Sequence, residues 1–168
     1  TLLLARGSVA RDLGLPVLGV VAYADSFADG AHTSIPAPGL GALGAGRGGE
    51  KSRLARALKK HGVSADEVAV LSKHDTSTNA NDPNESELHD EANPMFVVSQ
   101  KSLTGHAKGG AAAFQMIGLT QVLRSGVLPA NRSLDCVDPV LSKHDRLVWL
   151  TKPVEMGDAL PLKAGFVT

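Results

Sequence analysis

The sequence predicts a layered α/β domain, and three observations carry that prediction. Short valine-rich apolar runs recur without in-and-out alternation, which marks strands covered on both faces. Stretches of helical composition separate those runs and are closed by glycine. The chain has 168 residues, 43% of them hydrophobic and 4% aromatic, which suffices for one core of ordinary size and excludes a disordered, coiled-coil or collagen-like chain.

The elements follow in order. Residues 1–5 read as a strand already under way. Residues 6–13 have helical composition and stop at Gly14, with Pro16 just beyond, the usual punctuation of a helix C-terminus. Residues 17–24 are apolar on both parities and predict a buried strand, so the first crossover is expected to be βαβ. Residues 25–50 are rich in glycine and proline and too long for an ordinary connection, which predicts a functional or partner-facing loop. Residues 51–61 form a helical pattern with Leu54, Ala55 and Leu58 on one face and basic residues on the other, ended by Gly62. Ser64 and Glu67 have capping-box spacing ahead of a strand over 68–72. A loop over 74–83, a short polar helix over 85–92 and a strand over 95–99 come next. The longest helix is expected over 107–124, beginning with small residues that permit close backbone approach. An irregular connection over 127–144 leads to a strand over 146–151, and residues 160–168 stop on another strand-like run. Both ends are therefore expected to be cut edges of a sheet. Leu-Ser-Lys-His-Asp occurs at 71–75 and again at 141–145, but the flanks share nothing, so no structural repeat is inferred.

Charge and cysteine content narrow the function. With 17 basic and 17 acidic side chains the formal net charge is zero, which argues against a nucleic-acid binder, whose affinity rests on a basic excess. Cys136 is the lone cysteine and cannot form an internal disulfide, which fits a reducing compartment. No apolar run reaches the roughly 18 residues of a membrane span and no leader opens the chain. The expectation is a cytoplasmic protein with no membrane and no nucleic-acid partner.

Three segments compete for the chemistry. Gly39-Leu40-Gly41-Ala42-Leu43-Gly44 has the dinucleotide-binding spacing, but prolines precede it and more glycines follow, where that fingerprint needs a strand before and a helix after. The run 44–52 misses a P-loop because Glu50 separates the last glycine from Lys51. A surface loop is the expected reading of both. The second segment, Lys73-His74-Asp75-Thr76-Ser77-Thr78 through Glu85, follows a strand, and strand C-terminal ends are where α/β folds meet their ligands. The third, Gln100-Lys101-Ser102-Leu103-Thr104-Gly105-His106, also follows a strand and leads into the longest helix. His106 is expected at that helix's N-terminus, where the dipole disfavours an imidazolium and a neutral ring can donate a hydrogen bond to a developing oxyanion.

Together, His-x-Thr-Ser-Thr from His74, Asn-Asp-x-x-Glu ending at Glu85, and Lys-x-x-Thr-Gly-His-x-x-Gly-x-Ala from Lys101 make the sequence resemble the C-terminal part of a β-ketoacyl synthase. The two histidine motifs stand 32 residues apart and in the matching order. Asn131-Arg132-Ser133-Leu134-Asp135 resembles the loop that follows the long helix. The segments 34–39 and 80–85 look most like the ketosynthase of fungal and mycobacterial type I fatty-acid synthases. The resemblance implies a thiolase-like layered αβαβα fold, of which residues 1–168 would be most of the C-terminal half. It implies decarboxylative Claisen condensation of a malonyl thioester on acyl carrier protein with an acyl chain held on a cysteine. It further implies that His74 and His106 are the active-site histidines, Lys101 the accompanying lysine and Glu85 its acidic partner. Thr76, Thr78 and Thr104 would face the phosphopantetheine arm of the carrier. No cofactor or metal of its own is implied, and a homodimer or a module of a larger synthase is expected.

Elementary chemistry supports those roles. Decarboxylation at a thioester builds charge on the carbonyl oxygen, and losing one preorganised donor to such an oxygen typically costs about 3–4 kcal/mol. The donors should be neutral imidazoles, a state favoured by a nearby ammonium such as Lys101. Glu85 is expected to balance Lys101, because a buried unpaired ammonium is costly. Two departures stand out. Cys136 does not sit at a helix N-terminus, where a nucleophilic thiolate would form; it is read as structural, the nucleophile as lying outside this chain, and the chain alone as inactive. Asp75 replaces the glycine usual after the first histidine. Two other classes remain: a metal-dependent hydrolase using His74, Asp75 and His106, and a non-catalytic scaffold whose loop over 25–50 contacts neighbouring domains.

Overall fold

The computed structural model describes residues 1–25, 53–90, 94–157 and 162–168. The loop expected over 25–50, and with it both glycine motifs, lies almost entirely outside the described residues, as do residues 51–52, 91–92 and 160–161 of the predicted elements.

Four parallel strands make the central sheet. They are β1 (Val68–Ser72), β2 (Met95–Val98), β4 (Leu147–Trp149) and β6 (Ala164–Val167), in the order β4-β2-β1-β6. Two short strands, β3 (Val127–Leu128) and β5 (Val154–Glu155), pair antiparallel as a separate ribbon. Along β2 the valine-rich run divides cleanly: Met95 and Val97 enter one apolar cluster, Phe96 and Val98 the other. Such a strand is apolar at every position because it has two insides and no outside.

Helix α2 (Arg53–His61) covers one of these clusters through Leu54 and Leu58, and Gly62, at a φ of 66°, ends it as predicted. The capping box forms, with the Ser64 amide donating to Glu67 at 3.0 Å. On the other cluster lies α5 (Ala111–Ser125), which buries Leu119 and Val122 against Val70, Val98 and Leu128. A helix–sheet–helix sandwich results. Gly165 of β6 permits the close seating of α5: a Cβ there would stand 2.5 Å from Leu119 Cδ1.

Several predicted elements shift. Helix α1 (Gly7–Asp12) forms as expected and gives way to Gly14 at a φ of 61°. Residues 1–5 and 17–24, however, form no strand, and Leu3, Leu4, Val17 and Val20 are exposed. An apolar β-branched run states a readiness to pair, but a strand also needs a neighbour for its backbone groups, and no described strand lies beside either run. Helix α3 (Asn81–His89) starts four residues before the predicted position because Pro83 belongs to its first turn, where the missing N–H costs nothing. The longest helix, by contrast, starts later than predicted. Helix α4 (Lys101–Thr104) and a 3-10 turn (Lys108–Gly110) precede α5, since Gly105, at a φ of 70°, breaks the run. The connection after α5 also contains a short helix, α6 (Pro139–Ser142), capped by Asp138.

Candidate active site

Parallel order puts the C-terminal ends of β1 and β2 side by side, so the turn after Ser72 and the turn after Val98 face one another. His74 leaves the first and His106 the second. Their ring centroids stand 5.2 Å apart at an interplanar angle of 86°, an edge-to-face arrangement. Lys101 completes the group, its Nζ lying 3.3 Å from His74 Nδ1 and 3.3 Å from Gln115 Oε1.

The hydrogen bonds assign the tautomers. An ammonium has no lone pair to offer, so His74 Nδ1 accepts from Lys101. His106 Nδ1 accepts from the Lys108 amide at 3.2 Å. In each neutral ring the proton is therefore on Nε2, the atom left free to donate. His106 does not occupy the N-terminus of α5, as the sequence suggested; it precedes the 3-10 turn and holds that turn's amide. Partial burial takes the His74 pKa below its ordinary value, and the positive charge of Lys101 pushes it the same way against Glu85. Burial lowers the Lys101 pKa, with Glu85 opposing.

Glu85 corrects one expectation. It is buried, but it makes neither a hydrogen bond nor an ion pair with Lys101 and acts on it only through space. Its carboxylate instead accepts the backbone N–H of His74 at 2.8 Å and of Asp75 at 3.1 Å, the Asn81 amide at 3.2 Å and the Thr168 hydroxyl. Burial works to raise its pKa, but the Thr168 hydroxyl, the Lys73 charge and the His74 amide together carry it below the usual value. Glu85 is thus a clamp on the backbone of the first histidine turn.

The threonines lie on the same two turns. Thr76 and Thr78 hydroxyls are 3.2 Å apart, and Thr78 also accepts from the Asn81 amide at the start of α3. The Thr104 hydroxyl is 3.2 Å from the Gln100 carbonyl and 3.1 Å from that of Gly105. Thr78, Thr104 and His106 are exposed, so the histidine pair sits on an open face. Cys136 is an exposed free thiol in the connection before α6, so it packs into no core, contrary to the structural role expected of it. Among the described residues no group of three or more His, Cys, Asp or Glu side chains is placed to hold a metal ion.

Three polar residues that the motifs do not single out hold this arrangement. Gln115, buried on α5, donates to the carbonyls of Ser72 at 2.9 Å and Thr168 at 3.0 Å while its oxygen faces Lys101. Asn131, quoted only as part of a resembling loop, accepts from the Ser99 amide at 2.7 Å and donates to the Val97 carbonyl at 3.0 Å, fixing the end of β2. Lys73 is fully buried at 0% exposure beside Asp75. A buried polar residue on an apolar helix is visible in sequence as an interruption of the pattern; which carbonyls it meets is not.

Comparison with known proteins shows the family and the fold. A family model described as "Beta-ketoacyl synthase, C-terminal domain" matches residues 18–135. The chain is 36% identical over 193 residues to the fatty acid synthase alpha subunit hexA of Dothistroma septosporum, covering 93% of this chain and 11% of that protein. It is 36% identical over 170 residues to fatty acid synthase 2 of Mycosarcoma maydis, covering 96% of this chain and 4% of that protein. The chain therefore spans only a small part of these curated relatives. Among solved structures it superposes on a Streptomyces albus oxazolomycin ketosynthase domain with a TM-score of 0.68 at 20% identity, covering 89% of this chain and 26% of that one. It also superposes on the AntDE ketosynthase solved in complex with its type II PKS acyl-carrier protein AntF, with a TM-score of 0.67 at 23% identity, covering 94% of this chain and 36% of that one. The α/β fold is that of the thiolase-like ketosynthases.

Proposed function

Starting from a chain that belongs to the β-ketoacyl synthase C-terminal domain family, we propose that it supplies the decarboxylation centre of a 3-oxoacyl-[acyl-carrier-protein] synthase of fatty-acid biosynthesis. The observation that carries the reading is the pair of imidazoles 5.2 Å apart, each with Nδ1 already committed as an acceptor. Two Nε2–H donors of this kind suit one oxyanion. In the reaction, the bond between the malonyl α-carbon and its carboxylate breaks and carbon dioxide leaves. The electron pair moves onto the thioester carbonyl oxygen as an enolate. His74 and His106 hydrogen-bond that oxygen without delivering a proton to it, which would quench the nucleophile. The α-carbon then attacks an acyl thioester on a cysteine supplied from outside this chain; the new carbon–carbon bond forms as the cysteine thiolate leaves.

Lys101 keeps His74 oriented and disfavours a second positive charge on it. Gln115 holds Lys101, and Glu85 holds the His74 backbone. Thr76 and Thr78 line the approach of the phosphopantetheine arm of an acyl carrier protein, the partner that the solved AntDE–AntF complex shows for that ketosynthase. Malonyl decarboxylation followed by carbon dioxide release in the full-length protein tests the reading. His106→Ala is expected to lower the rate by at least a hundredfold, the scale of losing one oxyanion donor. Undiminished decarboxylation in that variant would remove His106 from the mechanism.

A further inference from the structure

The turn that carries His74 contains Asp75, where the resemblance leads to an expectation of glycine, and the structure shows what accompanies it. Asp75 has a φ of 29°, on the side of the map that favours glycine, so an aspartate there is strained unless its surroundings hold it. Both of its carboxylate oxygens are engaged. Oδ1 accepts from the Nζ of Lys73, and Oδ2 accepts from the hydroxyl of Ser99 at the end of β2. Lys73 in turn is fully buried, and among the described residues its ammonium also donates to the Asp82 carbonyl at 3.2 Å in the first turn of α3. One ammonium therefore ties the end of β1, the histidine turn and the start of α3, while Asp75 carries the tie across to β2.

We propose that Lys73 and Asp75 are a mutually dependent buried pair that positions His74, the residue between them. Neither reaches the reacting atoms; they act through the backbone of the histidine turn. The dependence follows from burial. Without Lys73, the carboxylates of Asp75 and Glu85, which repel one another, share the turn without the buried ammonium that stabilises both. Without Asp75, an ammonium at 0% exposure keeps one carbonyl and no carboxylate contact. Removing both is milder than removing either, because glycine accepts the φ of 29° without strain and methionine fills the lysine's volume without charge. The proposal rests on the condensing role of His74.

The test is a double-mutant cycle in the full-length protein, reading malonyl decarboxylation and, independently of any reaction, the thermal midpoint. Lys73→Met and Asp75→Gly are each expected to lose tenfold or more in kcat with KM little changed, and the double variant to lose less than either single. A pH profile adds a readout that a purely structural role leaves in place. Lys101, Glu85, His106 and Asp75 are the titratable groups acting on His74, and Asp75 favours its protonation; Asp75→Asn is therefore expected to move the acid limb of activity to lower pH. Losses that multiply in the double variant, or an acid limb that stays put, overturn the proposal. If a single variant fails to accumulate, recovery of soluble double variant supports the pair and its absence refutes it. If the unmodified protein does not decarboxylate, the condensing role fails, and the thermal cycle still decides whether the pair is coupled.

Discussion

His89 stands on α3 at 1% exposure, edge-on against Phe166 with ring centroids 5.7 Å apart, and neither ring nitrogen has a hydrogen-bond partner among the described residues. Burial takes its pKa down to about 4; Glu85 pulls the other way and Lys73 supports the fall. The folded chain thus holds a neutral ring, while the unfolded chain takes up a proton near pH 6.5. The ring's contribution to stability is complete above pH 6.5 and is lost as pH falls from there toward 4, by at most about 1.4 kcal/mol per pH unit. His89→Leu removes the titrating group and both unpaired nitrogens at similar volume. The thermal midpoint of this variant is expected to fall less between pH 7 and pH 5 than that of the parent; equal falls would show that another group controls acid sensitivity. Nothing in the sequence marks His89 as buried, since burial is a property of its neighbours. The motifs did point to His74 and His106, because residue type, spacing and position after a strand all coincide there.

Helix α5 is the element on which the site depends most. It offers Leu119 and Val122 to the core and Gln115 to the ends of β1 and β6, and it meets β6 at Gly165 and the Gln100 side chain at its own Gly118. A Cβ at Gly165 would meet Leu119 Cδ1 at 2.5 Å and the Val70 carbonyl at 3.1 Å. The carbonyl belongs to a central strand and cannot retreat, so Gly165→Ala is expected to destabilise by about 1–3 kcal/mol, as overpacking does. Denaturant unfolding measures it, and a loss below about 0.5 kcal/mol would mean that Leu119 repacks freely. Gly118, on the helix itself, faces the Gln100 side chain, whose Cδ would lie 2.4 Å from an added Cβ. That amide is the end of a flexible chain and can rotate, so Gly118→Ala is expected to cost less than Gly165→Ala in the same assay. The sequence signalled close approach by the small residues before α5, but the seats themselves are Gly118 within the helix and Gly165 across from it.

At the scale of the whole molecule, several large apolar residues near the start of the chain are exposed among the described residues. Leu3, Leu4, Leu13, Val17 and Val20 are all more than half exposed, at 79%, 67%, 68%, 62% and 83%. Apolar exposure of this kind on a lone chain promotes association. The 168-residue chain produced by itself is expected to self-associate at micromolar concentration, measured by sedimentation velocity, and Leu4→Glu combined with Val20→Glu to reduce that association. A monodisperse monomer in the parent would mean that residues 1–24 find cover within the chain. The same residues show where reading the sequence stopped short. Residues 17–24 have every local property of a buried strand, yet the described structure gives them no partner, because pairing is a property of two segments.

The sequence by itself determined the class of fold, the four central strands, the glycine that ends α2, the capping box ahead of β1 and the residues at the histidine turns. Each of these follows from interactions a few residues long: side-chain period, backbone freedom at glycine, and motif spacing. Only the tertiary structure decided that the two imidazoles meet, that Glu85 grips backbone amides without touching Lys101, and that Lys73 is buried against Asp75. Those contacts join the ends of different strands in a parallel sheet. Their geometry depends on the crossovers between β1, β2 and β6, and on how far each side chain is removed from water, which no local stretch of residues specifies.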